Sequence, residues 1–105
     1  DFTYVDNVIH ANLLACKADV SACGEVYNIA CGEQVTLNAL YQNICDLLGK
    51  QVAPVYAEPR PGEVKHSLAD IAKAEEKLNY KPVYNVCEGL EKAIDWYRAN
   101  VSTWM

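Results

Sequence analysis

Residues 25–57 hold a short apolar run, a capped amphipathic helix and a second apolar run, and this order restricts the fold more than any other feature of the chain. Glu25-Val26-Tyr27-Asn28-Ile29-Ala30 is β-branched and aromatic, as suits a buried strand, and Cys31-Gly32-Glu33 supplies a turn after it. Thr36 is placed to cap a helix in which Leu37, Leu40, Tyr41, Ile44, Leu47 and Leu48 recur at helical spacing, and Gly49 is placed to end it. Val52 to Ala57 reads as a second strand. Pro54 confines it to a sheet edge, because proline has no N–H to give a central ladder. Strand, helix and strand in this order predict parallel pairing through a right-handed crossover. Two strands do not make a stable sheet by themselves, so the pair is expected to extend a sheet whose other strands belong elsewhere in a parent chain.

Three further helices are predicted. Asp6 is read as the N-cap of the first, with Val8, Ile9, Leu13 and Cys16 forming its apolar face. Ser67 and Asp70 have the spacing of a capping box for the third, whose buried side would carry Leu68, Ile71 and Leu78 before Asn79-Tyr80-Lys81-Pro82 stops it. Asn85 and Glu88 repeat that arrangement for the last, with Val86, Leu90, Ala93, Ile94 and Tyr97 facing inward. The expected architecture is α/β: one small domain over residues 1–105, with about four helices and two short parallel strands. Apolar residues make up 51% of the chain, enough for a modest core.

Composition excludes several functions. The formal charge is −5 and the nine basic residues are scattered, whereas binding a nucleic-acid backbone needs clustered Lys and Arg. Apolar runs fall short of the ~20 residues that cross a bilayer, so no membrane partner is expected. The start, Asp1-Phe2-Thr3-Tyr4, resembles no signal segment and lacks a Met, and it is read as a cut point inside a longer chain. Cys16, Cys23, Cys31, Cys45 and Cys87 form no CxxC pair, which suits a reducing cytoplasm. Cys16 and Cys45 fall on apolar helix positions and are expected to be inert buried thiols. His10 falls off the apolar stripe of its helix and is expected to be solvated.

Catalytic signatures are scarce. The sequence has no Gly-rich phosphate loop between a strand and a helix, none of its tyrosines is followed four residues later by Lys, and metal clusters and nucleophile elbows are missing. One loop stands out. Arg60-Pro61-Gly62-Glu63 sets a guanidinium, a stiff turn and a carboxylate within four residues. A guanidinium fork fits phosphate oxygens, and a carboxylate can accept bonds from ribose hydroxyls. From pattern alone the plainer reading, a surface turn with a local ion pair, stands ahead of a ligand site.

Read together, Asp1-Phe2-Thr3-Tyr4-Val5-Asp6-Asn7, Val26-Tyr27-Asn28-Ile29-Ala30, Arg60-Pro61-Gly62-Glu63-Val64-Lys65-His66-Ser67-Leu68-Ala69-Asp70, Glu88-Gly89-Leu90 and Trp96-Tyr97 occur in a recognisable order. Over nearly its full length the chain resembles the C-terminal part of the extended short-chain dehydrogenase/reductases (the NAD-dependent epimerase/dehydratase family). The His66-Ser67-Leu68-Ala69-Asp70 stretch is most similar to bacterial UDP-N-acetylglucosamine 4-epimerases. UDP-glucose 4-epimerases, sugar 4,6-dehydratases and decarboxylases share the wider pattern.

The resemblance implies that Arg60 contacts the UDP diphosphate and that the position of Glu63, an Asp in relatives, faces the ribose. The Glu carries its carboxylate one methylene further out. Cys31 stands where a Gly is common. Phe2 and Tyr27 are candidates to line the nucleotide cleft, and His66 to reach a phosphate. NAD, the base Tyr and its Lys are implied to lie in a missing N-terminal Rossmann domain, so the 105 residues alone are expected to be inactive and to bind no cofactor. A free-standing nucleotide-sugar-binding or interaction module is the alternative. The severed-half reading also predicts a sizeable exposed apolar patch, which invites dimerisation.

Overall fold

Thr36 caps its helix as its position predicts: the Ala39 N–H donates to Thr36 Oγ1 at 3.1 Å, and Gly49 ends the helix in the left-handed region at φ 63°. The computed structural model describes residues 1–104, the last three by their backbone alone. Its helices are α1 (Val5–Cys16), α2 (Leu37–Leu48), α3 (Ala72–Leu78) and α4 (Val86–Trp104), with a 3-10 turn at Val20–Ala22. The reciprocal box at α4 forms as expected, Glu88 N–H donating to Asn85 Oδ1 and Asn85 N–H to Glu88 Oε2, each at 2.9 Å. Thr36→Ala is expected to lower the unfolding free energy by about 1 kcal/mol, read as a shift of the denaturant midpoint.

The other two expected caps differ. α1 begins one residue ahead of Asp6, with Tyr4 in the cap position and no side-chain acceptor, so Asp6 lies in the first turn where its charge complements the helix dipole. α3 begins only at Ala72, because residues 67–69 are tied to Asp1 by hydrogen bonds and cannot coil into a first turn. Asp70 instead accepts from the Ala72 N–H at 2.9 Å, and Ser67 serves through its backbone carbonyl.

The two parallel strands are not present among the described residues. Residues 25–30 alternate as a strand would, with Tyr27 and Ile29 packed on the core and Val26 and Asn28 outward. A strand also needs a neighbour's N–H and C=O groups, and residues 52–57 do not supply them. That second segment runs exposed beside α2, held by Tyr41 Oη donating to the Val52 carbonyl and by Tyr56 with Asn38.

α2 packs on α4, while α3 packs on α1 and the 3-10 turn. The core is small: Ala11, Ala22, Ala74, Leu78 and Tyr80, with Leu14 among the partly buried neighbours. Tyr80 is fully buried and donates to the Ala30 carbonyl at 2.7 Å. Asn7, also fully buried, accepts from the Val83 and Tyr84 N–H groups at 2.8 and 3.0 Å and donates to the Tyr84 carbonyl at 2.8 Å. At Gly89 a Cβ would lie 2.6 Å from the Cβ of Tyr4, so glycine alone permits this approach of α4 to the N-terminal segment.

α1 therefore buries Asn7 and Ala11, and its predicted apolar face points outward: Val8, Ile9, Leu13 and Cys16 are exposed. Leu68 and Tyr97, expected inside, are exposed too, whereas Cys45 is buried as expected. The radius of gyration is 16.8 Å, against about 13 Å for a self-contained domain of this length. The accessible surface is 8277 Å², against about 5,900 Å² for a folded monomer of this mass. Large apolar side chains are left exposed on several elements, among them Val5, Val8, Ile9 and Leu13 on α1 and Trp96, Tyr97 and Val101 on α4.

Candidate functional site

Residues 1–2, 34–38 and 64–67 enclose an open cleft of about 490 Å³. Three local rules place it. The Thr36 cap fixes where α2 starts, so the positive end of that helix dipole faces the cleft. The turn at Gly62, whose φ of 84° favours glycine, sends the chain back from the loop tip into residues 64–67. Asp1 then bonds to Cys31, just ahead of one remaining segment, and to Ala69, just after the other, which brings Phe2 into the same lining as Lys65 and His66. An aromatic face, two basic side chains and a helix N-terminus together suit a ligand with a flat ring and a phosphate.

Arg60 and Glu63 stand outside that lining, at the tip of the loop that leads into it. Glu63 N–H donates to the Arg60 carbonyl at 3.3 Å, and Arg60 Nε lies 3.9 Å from Glu63 Oε1. Their side chains are 85% and 61% exposed, so the pair contributes about 0–1 kcal/mol to stability. The local ion pair read from the sequence is present, and the guanidinium is accessible rather than buried.

Of the other candidates, Phe2 and His66 line the cleft, as does Ser67. Tyr27 does not: it donates to the Ala22 carbonyl at 2.7 Å, carries Lys73 over its ring and packs on the core. His10 is half-buried beside the Tyr80 ring, not solvated as expected. Cys31 is buried, its thiol donating to the Tyr84 carbonyl at 3.3 Å, and burial followed by Glu33 and Glu88 pushes its pKa up. It is thus a protonated donor at neutral pH, not a nucleophile.

Sequence reasoning missed Asp1, residues 34–38 and Lys65 as parts of one site. The Thr36 cap did mark a helix N-terminus, but nothing in the sequence showed that the 64–67 segment returns to it. Among the described residues no group of His, Cys, Asp and Glu could hold a metal, and no helix is long and apolar enough to cross a membrane.

No protein-family model matches the chain. A UDP-glucuronate 4-epimerase of Thermodesulfobacterium geofontis is 29% identical over 96% of this chain and 31% of its own length. The crystal structure of a UDP-glucose 4-epimerase with UDP-glucose from Thermotoga maritima superposes with a TM-score of 0.86 at 38% identity, covering 96% of this chain and 32% of that one. A Bacillus cereus UDP-glucuronic acid 4-epimerase, a Y149F mutant in complex with UDP-4-deoxy-4-fluoro-glucuronic acid and NAD, gives a TM-score of 0.85 at 32% identity, over 94% of this chain and 32% of that one. The chain spans about a third of the length of the curated relatives it matches.

Proposed function

We propose that this chain, which belongs with the nucleotide-sugar epimerases and dehydratases, is the UDP-gripping C-terminal side of a UDP-sugar 4-epimerase. The observation that carries the reading is the cleft of Phe2, Lys65 and His66 at the root of an exposed arginine loop. Phe2 would stack on the base or ribose, and the α2 N-terminus with Lys65 and His66 would face the phosphates. Arg60, at the loop tip, would fold over the diphosphate with its planar fork, and Glu63 would face a ribose hydroxyl.

In a 4-epimerase the C4 hydroxyl is oxidised, the 4-keto sugar turns over, and the reduction comes from the opposite face. The sugar must rotate while the nucleotide stays fixed, so the enzyme does best to place its binding energy on the non-reacting UDP. These 105 residues have neither a dinucleotide loop nor a Tyr-x-x-x-Lys pair. NAD and the catalytic groups are therefore assigned to an N-terminal dinucleotide-binding part of the parent, the 105 residues alone are expected to be inactive, and the parent is placed in the cytoplasm. Product analysis on the full-length protein with UDP-glucose and UDP-N-acetylglucosamine tests the reading. Interconversion with the galacto epimers supports it, and a 4-keto-6-deoxy or decarboxylated product replaces it.

The outward face of α1 is assigned to contact with that N-terminal part. Ile9 and Leu13 are 49% and 58% exposed, and charged groups there would be desolvated without a partner on docking. Ile9→Glu with Leu13→Glu is expected to lower the full-length protein's stability by about 3 kcal/mol or more. Unchanged thermal stability would show that the face stays in water or meets only a second copy at high concentration.

A further inference from the structure

One carboxylate joins the walls of the cleft. Asp1 Oδ1 accepts from the Cys31 N–H at 3.0 Å, and Asp1 Oδ2 accepts from the Gly32 N–H at 3.0 Å and the Ala69 N–H at 3.4 Å. The Asp1 amino-terminal ammonium donates to the Ser67 carbonyl at 2.8 Å, and the carboxylate bonds do not depend on it. Cys31 and Gly32 lead into residues 34–38, and Ser67 and Ala69 follow the 64–66 segment, so both sides of the opening are held from one point. Another bond between these regions, from Asn28 Nδ2 to the Asp70 carbonyl at 3.3 Å, falls outside the lining.

We propose that Asp1 is the positioning residue of the nucleotide cleft, fixing the spacing between the α2 N-terminus and the Lys65-His66 wall without itself bonding the ligand. This rests on the UDP reading. An acid beside a phosphate site would ordinarily repel the ligand. Here three N–H dipoles converge on the carboxylate and offset its charge, so it can sit there as a brace.

No neutral side chain replaces it. Asn offers one acceptor oxygen and turns an NH₂ toward a backbone N–H, so it gives up either the Cys31 contact or those to Gly32 and Ala69, and with the charge gone the contacts that remain are weaker. Glu lengthens the reach and cannot keep both oxygens on their present partners. A cleft whose walls shift by about an ångström loses ligand contacts on both sides.

The test is UDP titration of the full-length protein by calorimetry, with wild type, Asp1→Asn, Asp1→Ala, Arg60→Ala and Tyr80→Phe, together with amide exchange at Cys31, Gly32 and Ala69. Tyr80→Phe removes another internal hydrogen bond, to the Ala30 carbonyl, and controls for general loss of stability. Both Asp1 variants are expected to bind UDP about tenfold more weakly, with faster exchange at those three amides. Tyr80→Phe is expected to leave affinity within about twofold of wild type. Undiminished affinity in the Asp1 variants, alongside weaker binding by Arg60→Ala, would overturn the role of Asp1 and leave the UDP reading standing. Equal weakening in Tyr80→Phe would reduce Asp1 to an ordinary stabilising contact. A wild-type protein that does not bind UDP would remove both.

Discussion

Arg60→Ala in the full-length protein is expected to weaken UDP binding by roughly 10- to 100-fold, the equivalent of one charge-assisted hydrogen bond worth about 1.5–3 kcal/mol. The loss should appear in KM more than in kcat, because a grip on the non-reacting nucleotide holds ground state and transition state alike. Arg60→Lys should recover only part of it, since an ammonium cannot reproduce a two-pronged contact. Stability should hardly move. Arg60 meets only Glu63 among the described residues, across 3.9 Å of open solvent, and such pairs contribute about 0–1 kcal/mol. Thermal unfolding of the variant without ligand separates the two effects, and a large fall in melting temperature would show that Arg60 serves the fold instead.

Asn7→Ala has the opposite signature: a loss of stability of about 3 kcal/mol or more, with weaker binding only as a consequence. Asn7 sits in α1 with no exposed surface and makes three hydrogen bonds to the segment ahead of α4. Removing it leaves the partly buried Val83 and Tyr84 N–H groups without their acceptor, each at about 1–3 kcal/mol. Chemical denaturation of the full-length protein checks this, and Asn7→Asp adds a discriminating arm. The carboxylate keeps both acceptor bonds but places an oxygen against the Tyr84 carbonyl, so Asp should be no rescue.

How much of this was legible in the sequence divides along physical lines. Local devices could be read directly. Thr36, Gly49, Asn79 and the Asn85 and Glu88 pair act within a few residues, and each does what its chemistry demands. Devices that depend on distant partners could not be read so. Ser67 and Asp70 have capping-box spacing, yet Asp1, far away in sequence, holds that segment extended. The α1 stripe was visible as an apolar face, but periodicity does not say what covers it, and within these residues nothing does. The strands show the same limit, because a strand is defined by its neighbour as much as by its own residues. Beside the cleft, the Arg60 loop was evident from the order of its residues, whereas the meeting of residues 1–2, 34–38 and 64–67 is a matter of topology.

One carbonyl in this structure has two donors. The Tyr84 oxygen receives both the Asn7 amide and the Cys31 thiol, from residues far apart in sequence. If either donor is replaced, the other still satisfies that oxygen, and only when both are gone is it left bare. The double replacement should therefore cost more than the two single ones together. A change at position 31 that is harmless beside Asn7 becomes costly in a background that has lost it, so the residues tolerated at these two positions depend on each other.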